Sequence, residues 1–200
     1  MRGFRRWRRW RRQRGVTLIV GLVLLAAVLL LAASAADMAL MGEKSARAER
    51  DRHIALQSAE DALMDAELDI EGAAAVPAER SALFGAVDSF RPGAACGAGL
   101  TLGLCARSAP GQPPPWQTVD LGNAAAGVPL GAFTGIETET GAGFLPLRRP
   151  RYVVERLPYH PPGSEVGADN GYLYRVTAIG FGSREGTQVV LQATYRRHDD

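Results

Sequence analysis

Cys96 and Cys105 are the residues of this chain whose type and spacing best fit a covalent chemistry. They are its only cysteines, and they lie nine positions apart in the stretch CGAGLTLGLC, beyond an apolar segment that predicts export. An oxidising compartment favours disulfides, and a pair at this spacing closes a small loop. A metal-bound pair and a redox motif are the alternatives, although the spacing is not that of C-x-x-C. The pattern therefore favours a Cys96–Cys105 disulfide.

The other polar residues give little support to metal or catalytic chemistry. The histidines are scattered without metal-ligand spacing, at His53, His160 and His198. No zinc-protease motif, nucleophile elbow or phosphate-binding glycine loop is present in the sequence. Four acids fall in one stretch, namely Glu60, Asp61, Asp65 and Glu67. Paired acids on a helix are far more often solvated than catalytic, so we expect no enzyme activity, no cofactor and no metal.

A basic leader precedes an uncharged apolar run at the N-terminus. Residues 1–14 carry eight arginines and no acid, Gly15 follows, and the 21 residues from Val16 to Ala36 carry no charge. As a helix this run is roughly 31 Å long, which is enough to cross a bilayer core of about 30 Å. A secretory signal peptide would have a shorter apolar region. Because the arginines come first, the positive-inside rule predicts a cytoplasmic N-terminus and an exported remainder.

The net charge of the chain changes sign once the leader is set aside. The whole chain carries +2, from 23 basic and 21 acidic residues. Without the eight leader arginines, 15 basic residues remain against 21 acidic ones, a net charge of about −6. Membrane topology accounts for the arginines, and nucleic acid is not expected as a partner. The roughly 160 residues after the apolar run suffice for one compact domain.

The junction RQRG followed by VTLIV resembles the processing site of type IV pilins and pseudopilins. The resemblance implies that a peptidase cuts after Gly15 on the cytoplasmic face and that Val16, the new N-terminal residue, is methylated. Residues 17–19 match the family's T-L-I run. Val16 replaces the usual Phe, and Val20 replaces the usual Glu. In major pilins that Glu is thought to neutralise the terminal amine of a neighbouring subunit, so Val20 fits a minor subunit better than a bulk fibre subunit.

The residues after the apolar run predict that the same helix continues. No proline occurs from Asp37 to Glu71, and Gly42 is the one glycine before Gly72 ends the pattern. Small and aliphatic residues recur every three or four positions and share a face: Ile54, Ala55, Ala59, Ala62, Leu63, Ala66 and Ile70. Charged residues occupy mainly the other faces, and we expect most of them to be solvated: Arg47, Glu49, Arg50, Asp51, Glu60, Asp61, Asp65 and Asp69.

The stretch ERDRHIALQSAEDALMDAE in this helix resembles the minor pilins called PilX. Their helix has the pattern R-x-x-A-[FL]-Q-x-A-E-x-A-L-x-x-A-E, which this chain fills from Arg52 to Glu67. Alanines on the inner face would let a sheet or a neighbouring helix approach closely. The stretch also stands at the distance from the processing site that the family shows.

The remaining residues predict loops followed by a sheet. Residues 72–150 are rich in Gly, Ala and Pro, and we expect variable loops there, with a short helix or turn in 81–90 and one edge strand in 131–144. Three β-rich runs follow, at 151–157, 172–180 and 188–196, and the last two predict an antiparallel pair. These runs also resemble the end of PilX-type minor pilins, whereas the middle of the chain carries no resemblance.

These features predict an α+β type IV pilin fold. A long N-terminal helix, with a transmembrane half at 16–36 and an amphipathic half at 37–71, would pack on a small antiparallel sheet. The sheet strands, at 151–197, and the irregular region, at 72–150, would together form the head, at 72–200.

The resemblance implies a minor pilin that helps to initiate type IV pilus assembly in a tip complex and supports adhesion or twitching motility. Its partners would be other minor pilins, the major pilin, the prepilin peptidase and the inner-membrane assembly platform. We expect it in the bacterial inner membrane, with its N-terminus cytoplasmic and its head periplasmic, and then at the pilus tip. A type II secretion pseudopilin and a single-span anchored periplasmic binding domain are the alternatives.

Overall fold

The computed structural model describes residues 16–91, 96–123, 125–160, 163 and 171–197. The predicted leader, residues 1–15 with Gly15 at its end, lies outside the described residues. The chain divides into two compact units, residues 1–47 and residues 48–200. The described part of the first unit is helical throughout, and the second unit contains all of the described strands.

The first element is a single long helix, α1, Val16–Glu71, which confirms the predicted continuation past the apolar run. It ends at Glu71 because Gly72 adopts a left-handed backbone with a φ of +72°. The Gly72 N–H donates to the Asp69 carbonyl at 3.3 Å. The next N–H, that of Ala73, donates to the Leu68 carbonyl at 3.0 Å. This is the Schellman arrangement, in which glycine avoids the steric cost of a Cβ at positive φ.

Five strands form one mixed sheet. They are β1 Leu104–Cys105, β2 Val128–Pro129, β3 Arg151–Pro158, β4 Tyr172–Phe181 and β5 Gln188–Tyr195. The order is β1-β3-β4-β5, and β2 pairs antiparallel with β3. The strands β3, β4 and β5 are antiparallel neighbours, as predicted, and their bounds lie close to the three β-rich runs.

The strand β1 runs parallel to β3, so the sheet is mixed, whereas the predicted strands β3 to β5 are antiparallel. A strand of two residues has no alternating pattern, and the period-2 signal that marks β3 to β5 is therefore missing. Arg91, in the irregular region, forms a further parallel bridge with Cys105 of β1.

Both faces of β3 and β4 are covered. The helices α1 and α2 (Ala78–Gly85) pack on one face and form a first core with the strands: Ala62, Ala66, Ile70, Phe84, Tyr152, Val154, Tyr174 and Val176. Residues of the irregular region pack on the opposite face and form a second core: Cys96, Cys105, Val119, Leu121, Ala126, Val153, Ile179 and Phe181. The alternation of side chains along each strand sends successive residues into different cores.

Residues 72–150 are thus more than surface loops. They include α2, two 3₁₀ turns at Val87–Ser89 and Gly99–Thr101, and a short helix α3 at Pro115–Thr118. The short helix predicted within 81–90 begins earlier, at Ala78. The strand predicted within 131–144 is not present in those described residues, and β2 lies just before them. The sequence predicted only loops over most of this region because its buried residues follow no regular period.

Candidate functional site

The first half of α1 presents an apolar surface. Each large apolar side chain from Val16 to Leu31 has at least half of its surface exposed. Among the described helices, α1 is the one long and apolar enough to cross a membrane, and none of its most apolar window is buried. Val20 lies one helical turn after Val16, on the same side of the helix. Val20 is thus one of the exposed apolar side chains of this half of the helix.

The inner face of the second half of α1 contains the predicted residues, of which Ile54 and Leu63 are half-buried. The others are fully buried: Ala55, Ala59, Ala62, Ala66 and Ile70. The strand β4 approaches this face closely at Gly180. A Cβ placed on Gly180 would lie 2.2 Å from the Ala55 carbonyl oxygen and 2.3 Å from the Ala59 nitrogen. The alanines and Gly180 therefore let the helix and the sheet approach until backbone nearly meets backbone.

Three acids of α1 are buried and are the exceptions to the expectation that most of its charged residues are solvated. Asp51, Asp65 and Asp69 have 0–3% of their surface exposed. Glu60 and Asp61 are exposed, as expected. Each buried acid stands three or four positions from an inner residue: Asp51 is four before Ala55, Asp65 is three after Ala62, and Asp69 is three after Ala66. That spacing is the signal that could have identified them, because buried acids must find hydrogen-bond donors or cations.

Asp69 binds Arg80 of α2 in a fully buried ion pair. The Arg80 Nη2 lies 2.7 Å from the Asp69 Oδ2, and Nε donates to Oδ1 at 3.1 Å. The Tyr152 hydroxyl of β3 donates to the same carboxylate at 2.9 Å. Burial, followed by the charge of Asp69, raises the pKa of Tyr152 well above its ordinary value. Asp69 therefore joins α1 to α2 and to the centre of the sheet.

Arg80 also holds the segment that contains the 3₁₀ turn before β1. Its Nη1 donates to the carbonyls of Leu100 at 2.5 Å and Leu102 at 3.1 Å. The guanidinium lies over the ring of Phe133, 4.1 Å from its centroid, where a cation is attracted to the face of the ring. One arginine thus contacts α1, the cysteine loop and the loop after β2.

Asp65 and Asp51 bind two further parts of the head. The Gly131 N–H donates to Asp65 Oδ2 at 2.8 Å, and the Thr134 hydroxyl donates to Oδ1. Burial raises the pKa of Asp65, although both of these hydrogen bonds oppose the rise. Asp51 accepts from the N–H of Ser183, at 2.6 Å, and from its hydroxyl, at 2.7 Å.

The pKa of Asp51 lies below its ordinary value. Burial acts to raise it, but hydrogen bonds from Thr187 and Ser183 outweigh that effect. Asp51 therefore stays charged and fixes the β4–β5 turn to the helix. Together the three aspartates fasten α1 to the β4–β5 turn, to the loop after β2, and to α2 with β3.

The predicted cysteine pair is a disulfide in the structure. Cys96 and Cys105 are bonded, with their Cα atoms 4.5 Å apart. Both are buried in the second core. Cys105 belongs to β1, so the disulfide closes the loop 96–105 onto the sheet. Among the described residues no group of His, Cys, Asp or Glu is arranged to hold a metal ion, and His53 pairs instead with Glu49.

Replacing both cysteines with serine is expected to lower the free energy of unfolding by about 2–3 kcal/mol, because the open loop regains conformational entropy in the unfolded chain. Denaturant titration of the full chain in detergent measures the difference. The control is chemical reduction, which should destabilise the wild type equally and leave the double variant unchanged. Free thiols at both cysteines in exported protein would contradict the disulfide.

Comparison with known families agrees with this architecture. Residues 14–63 match the family described as PilX N-terminal. Residues 101–197 match the family described as Type IV pilus assembly protein PilX C-term. The second match reaches back to β1, so the family pattern includes part of the middle region that showed no resemblance. No curated protein and no solved structure matches the chain.

The two matches include the start of α1, the PilX-like stretch of its second half up to Leu63, and every strand of the sheet. Together they span well over half of the sequence, and the folded architecture is the α+β arrangement that a pilin requires. The chain therefore belongs to the PilX family and is a minor pilin of the type IV pilus.

Proposed function

We propose that this minor pilin helps to start pilus assembly. In this proposal the leader, residues 1–15, keeps the N-terminus in the cytoplasm, and α1 holds the subunit in the inner membrane with its head in the periplasm. The prepilin peptidase cuts between Gly15 and Val16, and Val16 is methylated. The inner-membrane assembly platform then moves the subunit into a growing filament, at the tip, together with other minor pilins and above the major pilin.

The exposed apolar half of α1 supports this function most directly. Large apolar side chains cover Val16 to Leu31 on every side of the helix and are exposed. Both a bilayer and the core of a helical fibre are apolar, so transfer between them does not require these side chains to enter water. The matched family is a pilus assembly family, which favours a pilus over a secretion pseudopilus.

Val20 supports the position at the tip. A glutamate in a filament interior has to be paired with a neighbour's amine, since an unpaired buried charge costs several kcal/mol. A subunit with Val20 has no such requirement and offers no partner to an adjoining amine. It is therefore suited to a place where one neighbour is missing. Pili started in this way would support adhesion or twitching motility.

Leader removal is expected to depend on Gly15. Mass spectrometry of the mature protein should find Val16 at the N-terminus with one added methyl group, and Gly15→Glu should leave uncut precursor in the membrane. Gly21→Ala is the matched control, because a Cβ at Gly21 meets no atom within 4 Å. A mature chain that keeps the leader, or that begins near Ala36, would contradict the proposal and favour a simple membrane anchor.

Few copies per filament are expected, and Val20→Glu should raise that number. The new carboxylate could pair with a neighbouring amine and let the subunit repeat along the fibre. Quantitative mass spectrometry of sheared filaments gives the copy number, and immunogold labelling gives the position. Val20→Leu, which adds no charge, is the control and should stay at low copy number. Labelling along the whole shaft in the wild type would mean that the subunit is a building block.

A further inference from the structure

A groove lies between the second half of α1 and the loop at residues 136–146. It consists of two adjoining cavities of about 250 Å³ and 210 Å³, and Asp61 and Thr138 line both of them. The groove belongs entirely to the unit formed by residues 48–200. We call it the Asp61 groove.

The Asp61 groove carries unusually exposed apolar side chains. Met64 of α1 lines the first cavity and has 64% of its surface exposed, and Phe144 lines the second with 72% exposed. Ile136 lies beside Met64 and is also exposed. Adjacent exposed apolar side chains around a concave surface are typical of a protein interaction site.

The groove also carries negative charge without a matching cation. Asp61, Glu137 and Glu139 line it, and none of the three takes part in an ion pair with a described residue. Burial, with a smaller contribution from the charge of Glu60, raises the pKa of Asp61. Arg50 lies at one end of the groove, but its guanidinium is stacked on the Phe144 ring, 5.1 Å from the centroid.

Ser58 provides a second and independent observation. It lines the same groove, has 2% of its surface exposed, and its hydroxyl has no hydrogen-bond partner among the described residues. A buried serine in a helix usually bonds to a carbonyl one turn earlier or to a neighbouring group. The wall of the Asp61 groove thus contains a buried polar group that the described residues leave unpaired.

We infer that the Asp61 groove binds a segment of a different pilus subunit, one that presents a lysine or arginine beside aliphatic side chains. The cation meets the carboxylates, and aliphatic side chains of the same segment cover Met64 in the first cavity and Phe144 in the second. The acidic lining selects the positive charge, since a segment with acidic side chains would be repelled. This inference rests on the proposed function, because it requires a neighbouring subunit in an assembled pilus.

The test is photo-crosslinking of the full-length chain in cells that make pili. A benzophenone amino acid replaces Thr138 in the groove or, separately, Leu25 in the apolar half of α1. The adduct at position 138 should map to a lysine- or arginine-containing peptide of another pilus subunit. Asp61→Asn combined with Glu139→Gln should lower its yield about fivefold, the effect of losing about 1 kcal/mol of charge attraction. Glu79→Gln on α2 removes one charge outside the groove and should have no effect.

The adduct at Leu25 separates the two ways in which the experiment can fail. If Leu25 forms an adduct and position 138 does not, the groove is empty in the pilus and the inference is wrong, while the proposed function stands. An adduct only to a second copy of this chain, or one that the charge substitutions leave unchanged, also overturns the inference. If neither position forms an adduct, the subunit does not enter a filament and both the function and the inference are wrong.

Discussion

Replacing Arg80 with methionine is expected to lower the free energy of unfolding by about 3–5 kcal/mol, the cost of breaking a buried ion pair on one side. Methionine fills much of the space but donates no hydrogen bond. Asp69, which has no exposed surface, then keeps the Tyr152 hydroxyl as its remaining donor. The carbonyls of Leu100 and Leu102 lose the Arg80 guanidinium as well.

The double variant Arg80→Met with Asp69→Leu distinguishes charge from packing. It removes both charges together, and replacing a buried pair by apolar residues is often nearly neutral, so we expect it to recover much of the lost stability. Arg47→Met is the exposed control, because its pair with Glu43 is more than half exposed and contributes at most about 1 kcal/mol. Denaturant titration of the full chain in detergent compares the variants. If Arg80→Met alone lowered the free energy of unfolding by less than about 1 kcal/mol, the Asp69 carboxylate would have found other hydrogen-bond partners.

Replacing Gly180 with alanine is expected to cost about 3 kcal/mol, at the upper end of the range for overpacking. The added Cβ would lie 2.2 Å from the Ala55 carbonyl oxygen and 2.8 Å from the Ala59 Cα. Both are backbone atoms of α1, so no side-chain rotation removes the clash. The helix and β4 have to separate, and the three aspartate contacts of α1 would then lengthen.

The matched control for this substitution is Gly85→Ala, at the end of α2. A Cβ there meets no atom within 4 Å, and the position requires no left-handed backbone. We expect a change within about 0.5 kcal/mol for this variant. Thermal unfolding of the full chain in detergent, followed by circular dichroism, measures both. A Gly180→Ala protein as stable as the wild type would show that α1 and the sheet are not held at this distance.

The sequence by itself determines the elements that repeat a local pattern. The absence of proline, the period of three to four residues and Gly72 predict α1 to its last turn, and alternation predicts β3 to β5. The spacing of the two cysteines and the predicted export of the head favour the disulfide between Cys96 and Cys105. These signals are local, because the periods of helices and strands are set by residues only a few positions apart. The PilX-like stretch and closing strands likewise identify the family without coordinates.

The tertiary structure alone decides which acids of α1 are buried and what they bind. Asp69 meets Arg80 only 11 positions away, but Asp65 meets Thr134 across 69 positions and Asp51 meets Ser183 across 132. The parallel direction of β1, the second core and the Asp61 groove also depend on how the irregular region crosses the sheet. No periodic pattern encodes these contacts. A carboxylate is stable in the interior only when hydrogen-bond donors or cations reach it, and the folded chain alone brings these groups together.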